Sequence, residues 1–206
     1  MQKGLALFDF DGTITRKDSL LEFMKYAVGK WKFYLTMGIF SPLIFYYIFI
    51  KKDGSVAKRK VLSYLLKGKL KEELALLGIK FSEEIIPSIL IPSAIEEIDL
   101  HKKQKDRVIV ISASLDNWLK PWANSMKLEL ICTEMEFIEG KFTGRFATPN
   151  CNGQEKVNRI KEYLNPEDYK PIFAYGNSAG DKPMLDMADH GFYRHFEWAD
   201  LKVVFK

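Results

Sequence analysis

Short runs of apolar residues alternate with amphipathic segments along most of the chain. Four runs are typical of buried parallel strands: Leu5–Phe8, Arg107–Ser112, Leu128–Thr133 and Pro171–Tyr175. Between and after them, the spacing of apolar positions predicts helices over Leu115–Met126, Gln154–Leu164 and Lys182–Asp189. Strands that alternate with helices predict an α/β fold with a parallel sheet. Gly191–Phe196 is a candidate last strand.

The segment Glu134–Phe146 interrupts this alternation. Two runs of alternating polar and apolar residues flank Glu139-Gly140-Lys141, a tripeptide typical of a turn. We therefore expect a small β-hairpin here.

Far more chain separates the first two strands than one crossover needs. Asp9 and Ser112 are 103 positions apart, whereas a βαβ unit takes roughly 30 residues. The surplus has helical patterns throughout, over Leu20–Ala27, Phe33–Ile50, Val56–Lys67, Leu70–Leu77 and Glu83–Ile91. We expect a helical cap domain over residues 17–92, inserted into a core domain formed by residues 1–16 and 93–206, with hinges near Thr15–Asp18 and Pro87–Pro92.

One segment of the insert, Phe33–Ile50, carries no charge over 18 residues, which is the lower limit for a membrane-spanning helix. Ser41-Pro42 near its middle should break or kink a helix, and lysines flank both ends. The favoured interpretation is two short buried helices joined at Ser41-Pro42. A hairpin that contacts a bilayer surface and a true span are the alternatives.

Composition and charge exclude several classes of protein. The 206 residues are 47% hydrophobic and 14% aromatic, which is enough for a packed core and excludes a disordered chain. The 31 basic and 27 acidic residues form no long block of one sign, so we expect no nucleic-acid partner. No feature predicts an oligomeric state.

The two cysteines, Cys132 and Cys151, are too few for a disulfide framework and lack metal-ligand spacing. Before Asp9 there is one lysine and a short apolar run, which is not a secretory signal. The expected localisation is therefore the cytoplasm, with peripheral contact at the inner membrane face through residues 33–50 as an alternative.

The sharpest chemical signal is Asp9-Phe10-Asp11-Gly12-Thr13 at the end of the first strand. Alternate residues of an extended strand point the same way, so two carboxylates would meet there and repel unless a cation lies between them. A divalent metal would resolve this repulsion. Gly12 permits a sharp backbone turn, and Thr13 could cap the next segment of the chain.

Asp9–Thr13 resembles the first motif of the haloacid dehalogenase-like phosphatases, and three later segments resemble the other motifs in the expected order. The second is Ile109–Ser114, with Ser112 in the phosphate-binding position, and the third is Cys151–Lys156, with Lys156 as its lysine. The fourth is the acidic loop Gly176–Asp181. The helical insert after the first motif and the run Lys141–Gly144 are similar to the phosphoserine phosphatase-like branch, subfamily IB, which has a Rossmann-like core and a C1-type cap.

This resemblance implies an Mg²⁺-dependent phosphomonoesterase. Asp9 would attack phosphorus and form an aspartyl-phosphate, and Asp11 would act as acid and then as base. Ser112 and Lys156 would hold the phosphoryl oxygens. Four residues would bind Mg²⁺ through oxygen: Asp9, Asp11, Asn177 and Asp181.

The resemblance also implies which residues contact a small phosphorylated substrate. Beside the motif residues, these are Phe10, Gly12, Thr13 and Ala113. Asp18 and Arg59 roughly occupy the positions that bind the amino acid in phosphoserine phosphatases. Capped bacterial phosphatidylglycerophosphate phosphatases of the same superfamily carry a similar apolar cap segment followed by basic residues, so a phospholipid headgroup phosphate is a second substrate class.

Asn177 departs from the family pattern, which generally has Asp at this position. An amide oxygen can still ligate Mg²⁺, but the site loses a negative charge, so we expect weaker metal binding. Asn177 and the apolar cap segment leave open a catalytically silenced module that binds phosphate or membrane. A phosphotransferase that passes the phosphoryl group from the same aspartyl-phosphate to an alcohol is a further alternative.

Overall fold

A computed structural model describes residues 3–51 and 54–196. Five strands form its main sheet: β1 Lys3–Phe8, β2 Arg107–Leu115, β3 Glu129–Thr133, β6 Tyr169–Gly176 and β7 His190–Tyr193. All neighbouring pairs are parallel, and the strand order is β3-β2-β1-β6-β7. The predicted α/β class with a parallel sheet is confirmed.

Nine α-helices are described. Six lie between β1 and β2: α1 Ser19–Val28, α2 Lys30–Phe45, α3 Gly54–Leu66, α4 Lys71–Glu84, α5 Ile86–Ile89 and α6 Pro92–Lys103. The others are α7 Asp116–Ser125, α8 Gln154–Tyr163 and α9 Lys182–Met187. Single 3₁₀ turns span Pro166–Asp168 and Ala179–Asp181.

Both faces of the sheet are covered. In β1, Ala6 and Phe8 join a core cluster with α6 and α7, whereas Leu5 and Leu7 join a second cluster with α8 and α9. This arrangement results from the two-residue period of a strand, and it explains why the strands read as continuous apolar runs.

The predicted hairpin is confirmed as β4 Met135–Ile138 paired antiparallel with β5 Lys141–Phe146. It is tied to the helical insert by backbone hydrogen bonds. The Gly68 amide donates to the Phe142 carbonyl (2.8 Å), and the Phe142 amide donates to the Lys69 carbonyl (2.9 Å).

The chain enters and leaves the helical insert through two adjacent segments. The Arg16 amide donates to the Ile89 carbonyl, and the Ile91 amide donates to the Ile14 carbonyl, each at 2.8 Å. Arg16 lies within the predicted hinge Thr15–Asp18, and Ile89 and Ile91 lie within Pro87–Pro92, but the hinges themselves stay a prediction. The division into domains at residues 16/17 and 92/93 stays a prediction.

The interpretation of Phe33–Ile50 as two short buried helices is wrong. The structure has one continuous helix, α2, which passes through Pro42 and ends in a π-helical turn over Tyr46–Ile50. Pro42 has no N–H to donate to the Gly38 carbonyl four positions earlier, and this carbonyl accepts a hydrogen bond from the Ser41 hydroxyl instead (2.8 Å).

This helix is also the one candidate membrane span among the described residues. Lys30–Ile50 has a mean hydropathy of 1.7 over an 18-residue window, of which only 11% is buried within the protein. Length and composition alone meet the criterion for a span.

Several element boundaries differ from the sequence prediction, most of all in the last strand and in the helices around residue 84. The last strand ends at Tyr193 instead of Phe196, because Arg194 has a positive φ of 54° that ends the extended conformation. The helical patterns over Leu70–Leu77 and Glu83–Ile91 are divided differently, because α4 runs without a break through residue 84 and a short helix follows.

Candidate active site

The carboxyl ends of neighbouring strands bring the motif residues to one edge of the sheet. Asp9 follows β1, and its amide donates to the carbonyl of Tyr175 in β6 (2.9 Å). A cavity of about 350 Å³ opens there, with Asp9, Asp11, Lys156, Asn177 and Asp181 on its wall. Ligands of open α/β sheets bind at this edge.

Lys156 joins two of these carboxylates. It lies in the first turn of α8, is 1% exposed, and its ammonium donates to Oδ1 of Asp9 and to Oδ1 of Asp181, both at 2.6 Å. A third hydrogen bond goes to the Ile111 carbonyl at 3.0 Å. Burial disfavours the charged form, but the two carboxylates outweigh it and raise the pKa of Lys156 well above its usual range.

The two carboxylates differ in their electrostatic environment. Burial raises the pKa of Asp9 to about 6 against the attraction of Lys156, and the negative charge of Asp181 raises it further. Burial acts in the same direction on Asp181, but Lys156 and the Ser178 hydrogen bonds outweigh it, so the pKa of Asp181 is lowered. Of the two carboxylates that contact Lys156, Asp9 is therefore the one whose charge is less stabilised.

Asp181 is held by the loop that precedes it. Its Oδ2 accepts hydrogen bonds from the Asn177 amide (3.1 Å), the Ser178 amide (2.9 Å) and the Ser178 hydroxyl (2.7 Å). Because these donors occupy Oδ2, Oδ1 is the oxygen that faces Lys156.

Close backbone packing brings the motif loops together. Gly12 has a φ of +82°, and a Cβ there would lie 1.9 Å from Nδ2 of Asn177. Only glycine both adopts this positive φ readily and leaves room for the Asn177 side chain. The third and fourth motifs meet through the Gly153 amide, which donates to the Gly180 carbonyl at 2.9 Å.

A chain of hydrogen bonds holds Asp11. Its Oδ1 accepts from the Ser19 amide (2.6 Å), and its Oδ2 accepts from the Ser114 hydroxyl (2.5 Å). The Ser19 hydroxyl donates to Ser114 (3.2 Å), and the Trp118 indole N–H donates to Ser19 (3.0 Å). Burial and the negative charge of Asp18 raise the pKa of Asp11.

Sequence reasoning did not identify Ser19, Ser114 or Trp118. Ser114 reaches Asp11 because the register of β2 against β3 shifts between Ser112 and Leu115, and such irregularities re-aim side chains next to functional sites. The only available signal was a second hydroxyl two positions after Ser112.

Of the remaining predicted phosphate-binding residues, Ala113 is on the cavity wall, whereas Ser112, Thr13 and Phe10 are not. Ser112 is fully buried, and its hydroxyl accepts from the Ser114 amide at 3.0 Å. The Thr13 hydroxyl donates to Oδ2 of Asp9 at 3.1 Å. Phe10 points into the core, where its ring packs edge-on against Trp122 with centroids 4.8 Å apart.

At the side of the cavity formed by the helical insert, an ion pair occupies the place expected for substrate selection. Asp18 caps α1, and its Oδ2 accepts from the ammonium of Lys58 at 2.5 Å. Both residues are on the cavity wall. Arg59, the residue predicted from the sequence, is not on that wall and is exposed. The helical phase of α3 places Lys58 there instead.

The donor set fits a magnesium ion held partly by substrate and water. The described residues contain no cluster of three acidic, histidine or cysteine side chains placed to hold a metal. Asp9 and Asp181 already share one cation, the Lys156 ammonium. Asp9, Asp181, the side-chain oxygen of Asn177 and the backbone carbonyl of Asp11 offer only oxygen donors. Mg²⁺ characteristically takes one or two carboxylates and completes its shell with water and phosphate.

Comparison with known proteins agrees with this geometry. A sequence profile of the haloacid dehalogenase-like hydrolases matches residues 6–186. The chain belongs to this family. The resemblance and the hydrolase class inferred from the four motifs are therefore confirmed.

Individual relatives of this haloacid dehalogenase-like hydrolase cover nearly the whole chain. Protein CicA of Caulobacter vibrioides is 31% identical over 199 residues, which is 93% of this chain and 86% of CicA. A crystal structure of a protein of unknown function from Bordetella pertussis superposes with a TM-score of 0.75 at 22% identity, covering 91% of this chain and 88% of that one. A substrate-bound phosphoserine phosphatase superposes with a TM-score of 0.66 at 20% identity, covering 94% and 85%. At these identities, the two structures show a shared fold.

Proposed function

We propose that this hydrolase is a phosphomonoesterase that works through an aspartyl-phosphate on Asp9 and requires Mg²⁺. The observation that carries the proposal is the contact of Lys156 with both Asp9 and Asp181 at 2.6 Å, in one cavity with Asp11. A nucleophilic carboxylate, a fixed cation and a second carboxylate are the parts that phosphoryl transfer needs.

In the first step, an oxygen of Asp9 forms a bond to phosphorus as the bond from phosphorus to the ester oxygen breaks. Lys156 and the Thr13 hydroxyl hold the Asp9 carboxylate in position. The leaving alkoxide takes a proton from Asp11, whose raised pKa favours the protonated form. The products of this step are the free alcohol and the aspartyl-phosphate.

In the second step, Asp11 is a carboxylate and takes a proton from water. The water oxygen forms a bond to phosphorus, and the bond between phosphorus and the Asp9 oxygen breaks. Inorganic phosphate leaves, and both aspartates return to their initial states. The hydrogen bonds from Ser19 and Ser114 keep Asp11 in one orientation through both proton transfers.

Asp9, the Asp11 carbonyl, Asn177 and Asp181 would hold the magnesium ion. When bound, Mg²⁺ supplies positive charge that offsets the negative charge developing on the transferring phosphoryl group. Lys156 supplies a second, permanent positive charge at the same place.

The substrate is a phosphate monoester whose phosphate group fits into the active-site cavity. Both a phosphorylated metabolite such as phosphoserine and a phospholipid headgroup phosphate fit this description. Lys58 on the cavity wall offers an ammonium to a second anionic group of the substrate, and Asp18 offers a carboxylate to a cationic group.

Asn177 favours a second candidate, a silenced module that binds phosphate without hydrolysing it, because the metal site has one carboxylate fewer than the family pattern.

Transfer of the phosphoryl group to an alcohol instead of water is chemically close to the main proposal. Adding an acceptor alcohol distinguishes a phosphotransferase from a phosphatase, since a phosphotransferase would form a new ester and release less inorganic phosphate.

Phosphate release from para-nitrophenyl phosphate tests the proposal. We expect turnover that requires Mg²⁺, is abolished by Asp9→Asn and is unchanged by Asp186→Asn on an exposed helix. Binding of phosphate with no turnover would favour the silenced module. A screen with phosphoserine, sugar phosphates and lipid phosphates then identifies the substrate class.

A further inference from the structure

We propose that the outer face of the helix Lys30–Ile50 docks in the plane of an anionic membrane surface. The docking face is defined by five exposed residues: Trp31, Leu35, Ile39, Phe45 and Phe49. The proposal concerns where the protein binds, and it does not depend on the proposed catalytic activity.

The docking face is exposed and apolar, whereas the exposed side of a helix in a soluble protein is usually polar. Trp31 is 91% exposed, and Leu35, Ile39 and Phe49 are 67%, 61% and 64% exposed. Their spacing of about three to four residues, completed by Pro42 and Phe45, places them along one side of the helix. An extended exposed apolar surface of this kind marks an interaction site.

The opposite face fixes the helix to the rest of the protein. Phe33 and Thr36 are buried, and Met37, Phe40 and Ile44 pack against the main core cluster. Because the inner face is already packed in the described structure, the outer face is held outward and available to a partner.

Charge identifies that partner as an anionic surface. No acidic residue occurs from Lys30 to Lys51, and Lys30, Lys32 and Lys51 stand exposed at the two ends. The ammonium of Lys51 lies 6.0 Å from the ring of Tyr46, and that of Lys60 lies 5.9 Å from the ring of Tyr47. Such lysines lay their apolar stems along the helix and present their charges to anionic lipid headgroups.

Two alternatives to docking are a contact with a second copy of this chain and a span across the bilayer. A second copy would bring the same lysines together, and their positive charges would repel each other. A span across the bilayer would place Asp9 and Lys156 on opposite sides of the membrane, whereas they are 2.6 Å apart. Lysines at both ends of an apolar helix suit a helix that lies in the interface plane.

Docking would bring the candidate active site next to the membrane. The helix α3 packs against the π-helical turn Tyr46–Ile50, which is the end of the docking helix, and Gly54 at the start of α3 lies beside Ile48. Gly54, Ser55 and Lys58 line the active-site cavity. If the proposed function holds, a phosphate monoester at the lipid surface therefore lies beside the cavity.

Vesicle flotation with the full chain tests the docking. We expect binding to vesicles of phosphatidylcholine mixed with phosphatidylglycerol and much weaker binding to phosphatidylcholine alone. The variant Leu35→Gln/Ile39→Gln/Phe49→Gln should reduce the partition coefficient by about 100-fold, because three apolar side chains no longer leave water. Lys30→Glu/Lys32→Glu should remove the preference for anionic vesicles.

Matched controls separate the docking face from general surface effects. Leu76→Gln/Leu100→Gln/Ile138→Gln changes three exposed apolar residues elsewhere, and Lys103→Glu/Lys161→Glu changes two exposed lysines elsewhere. Both controls should bind vesicles like the parent. Failure of the parent to bind anionic vesicles overturns the proposal, as does dimerisation through this face at the expense of vesicle binding. Phosphatase activity is read separately on a soluble ester, so its loss would contradict the proposed function and leave the docking result unaffected.

Discussion

The ammonium of Lys156 lies 2.6 Å from Oδ1 of Asp9, although 147 positions separate the two residues in the chain. Lys156 also contacts Asp181 at the same distance, so one buried positive charge faces two buried carboxylates. Without a further cation, this cluster carries a net charge of about −1, which the low-dielectric interior disfavours. The stability of the metal-free protein should therefore respond to each charge in the cluster.

Removing Lys156 should strongly destabilise the metal-free protein. Lys156→Met removes the ammonium that neutralises the two buried carboxylates, and breaking a buried ion pair from one side costs about 3 to 5 kcal/mol. We expect a lower melting temperature and a partial recovery when Mg²⁺ is added, read by calorimetry. Lys161→Met, on the exposed side of the same helix, is the control. Equal stability of the two variants would contradict the role of Lys156.

Neutralising Asp9 should stabilise the metal-free protein while abolishing activity. The pKa of Asp9 is raised from 3.8 to about 6, so its charge costs about 2 to 3 kcal/mol of folding free energy at pH 7. Asp9→Asn removes this cost and leaves the neutral pair of Lys156 and Asp181. The melting temperature should rise by about 4 to 10 °C.

The same shift predicts a pH dependence in the metal-free protein. Between about pH 4 and pH 6, folded Asp9 binds more protons than unfolded Asp9, so its contribution to stability falls as the pH rises through this window and is constant above it. In denaturant titrations at several pH values, the stability of Asp9→Asn relative to the parent should increase as the pH rises from about 4 to about 6. A stability difference that is constant or decreases over this window would contradict the assignment of the raised pKa to Asp9.

Replacing Asn177 with Asp should tighten Mg²⁺ binding. The substitution keeps the side-chain shape beside Gly12 and adds the negative charge that the family pattern has. A carboxylate is a stronger ligand for Mg²⁺ than an amide oxygen, and we expect an improvement of roughly tenfold in a calorimetric titration, about 1.4 kcal/mol. An unchanged or weaker affinity would refute the prediction.

Ser114 should set the acidity of Asp11. Its hydroxyl donates to Oδ2 of Asp11 at 2.5 Å and lowers the pKa of that carboxyl, against the raising effects of burial and Asp18. Ser114→Ala should therefore raise the pKa of Asp11 and move the high-pH limb of kcat/KM to higher pH, because the acid stays protonated longer. Ser114→Thr keeps a hydroxyl and should restore the parent profile. A profile that does not move in Ser114→Ala would show that Ser114 only fills space.

Much of the fold was predictable because it rests on short-range patterns. The continuous apolar runs identified the buried strands, and the two-residue period of a strand placed Asp9 at the sheet edge with the fourth-motif loop. The resemblance of the four motifs to a known family predicted that Lys156 shares one pocket with Asp9, Asp11 and Asp181, whereas its direct contacts with Asp9 and Asp181 were found only in the structure.

The parts that were missed depend on geometry at the scale of one residue or one hydrogen bond. Pro42 predicted a break, but the Gly38 carbonyl, which has no proline N–H to accept from, accepts a hydrogen bond from the Ser41 hydroxyl, and the helix continues. A shift of one position on α3 separates Arg59 from Lys58 on the cavity wall, and helical phase cannot be read from sequence to that precision. The Ser19, Ser114 and Trp118 chain depends on side-chain orientations that no pattern records.

The most direct test of the central claim is the chemical identity of the group that attacks phosphorus. The protein is mixed with Mg²⁺ and a rapidly hydrolysed monoester, quenched in acid within one turnover, digested and examined by mass spectrometry. We predict that the peptide containing Asp9 gains the mass of one phosphoryl group, and that Asp9→Asn gains none. Turnover with no phosphorylated peptide, or with the phosphoryl group on another residue, would contradict the account.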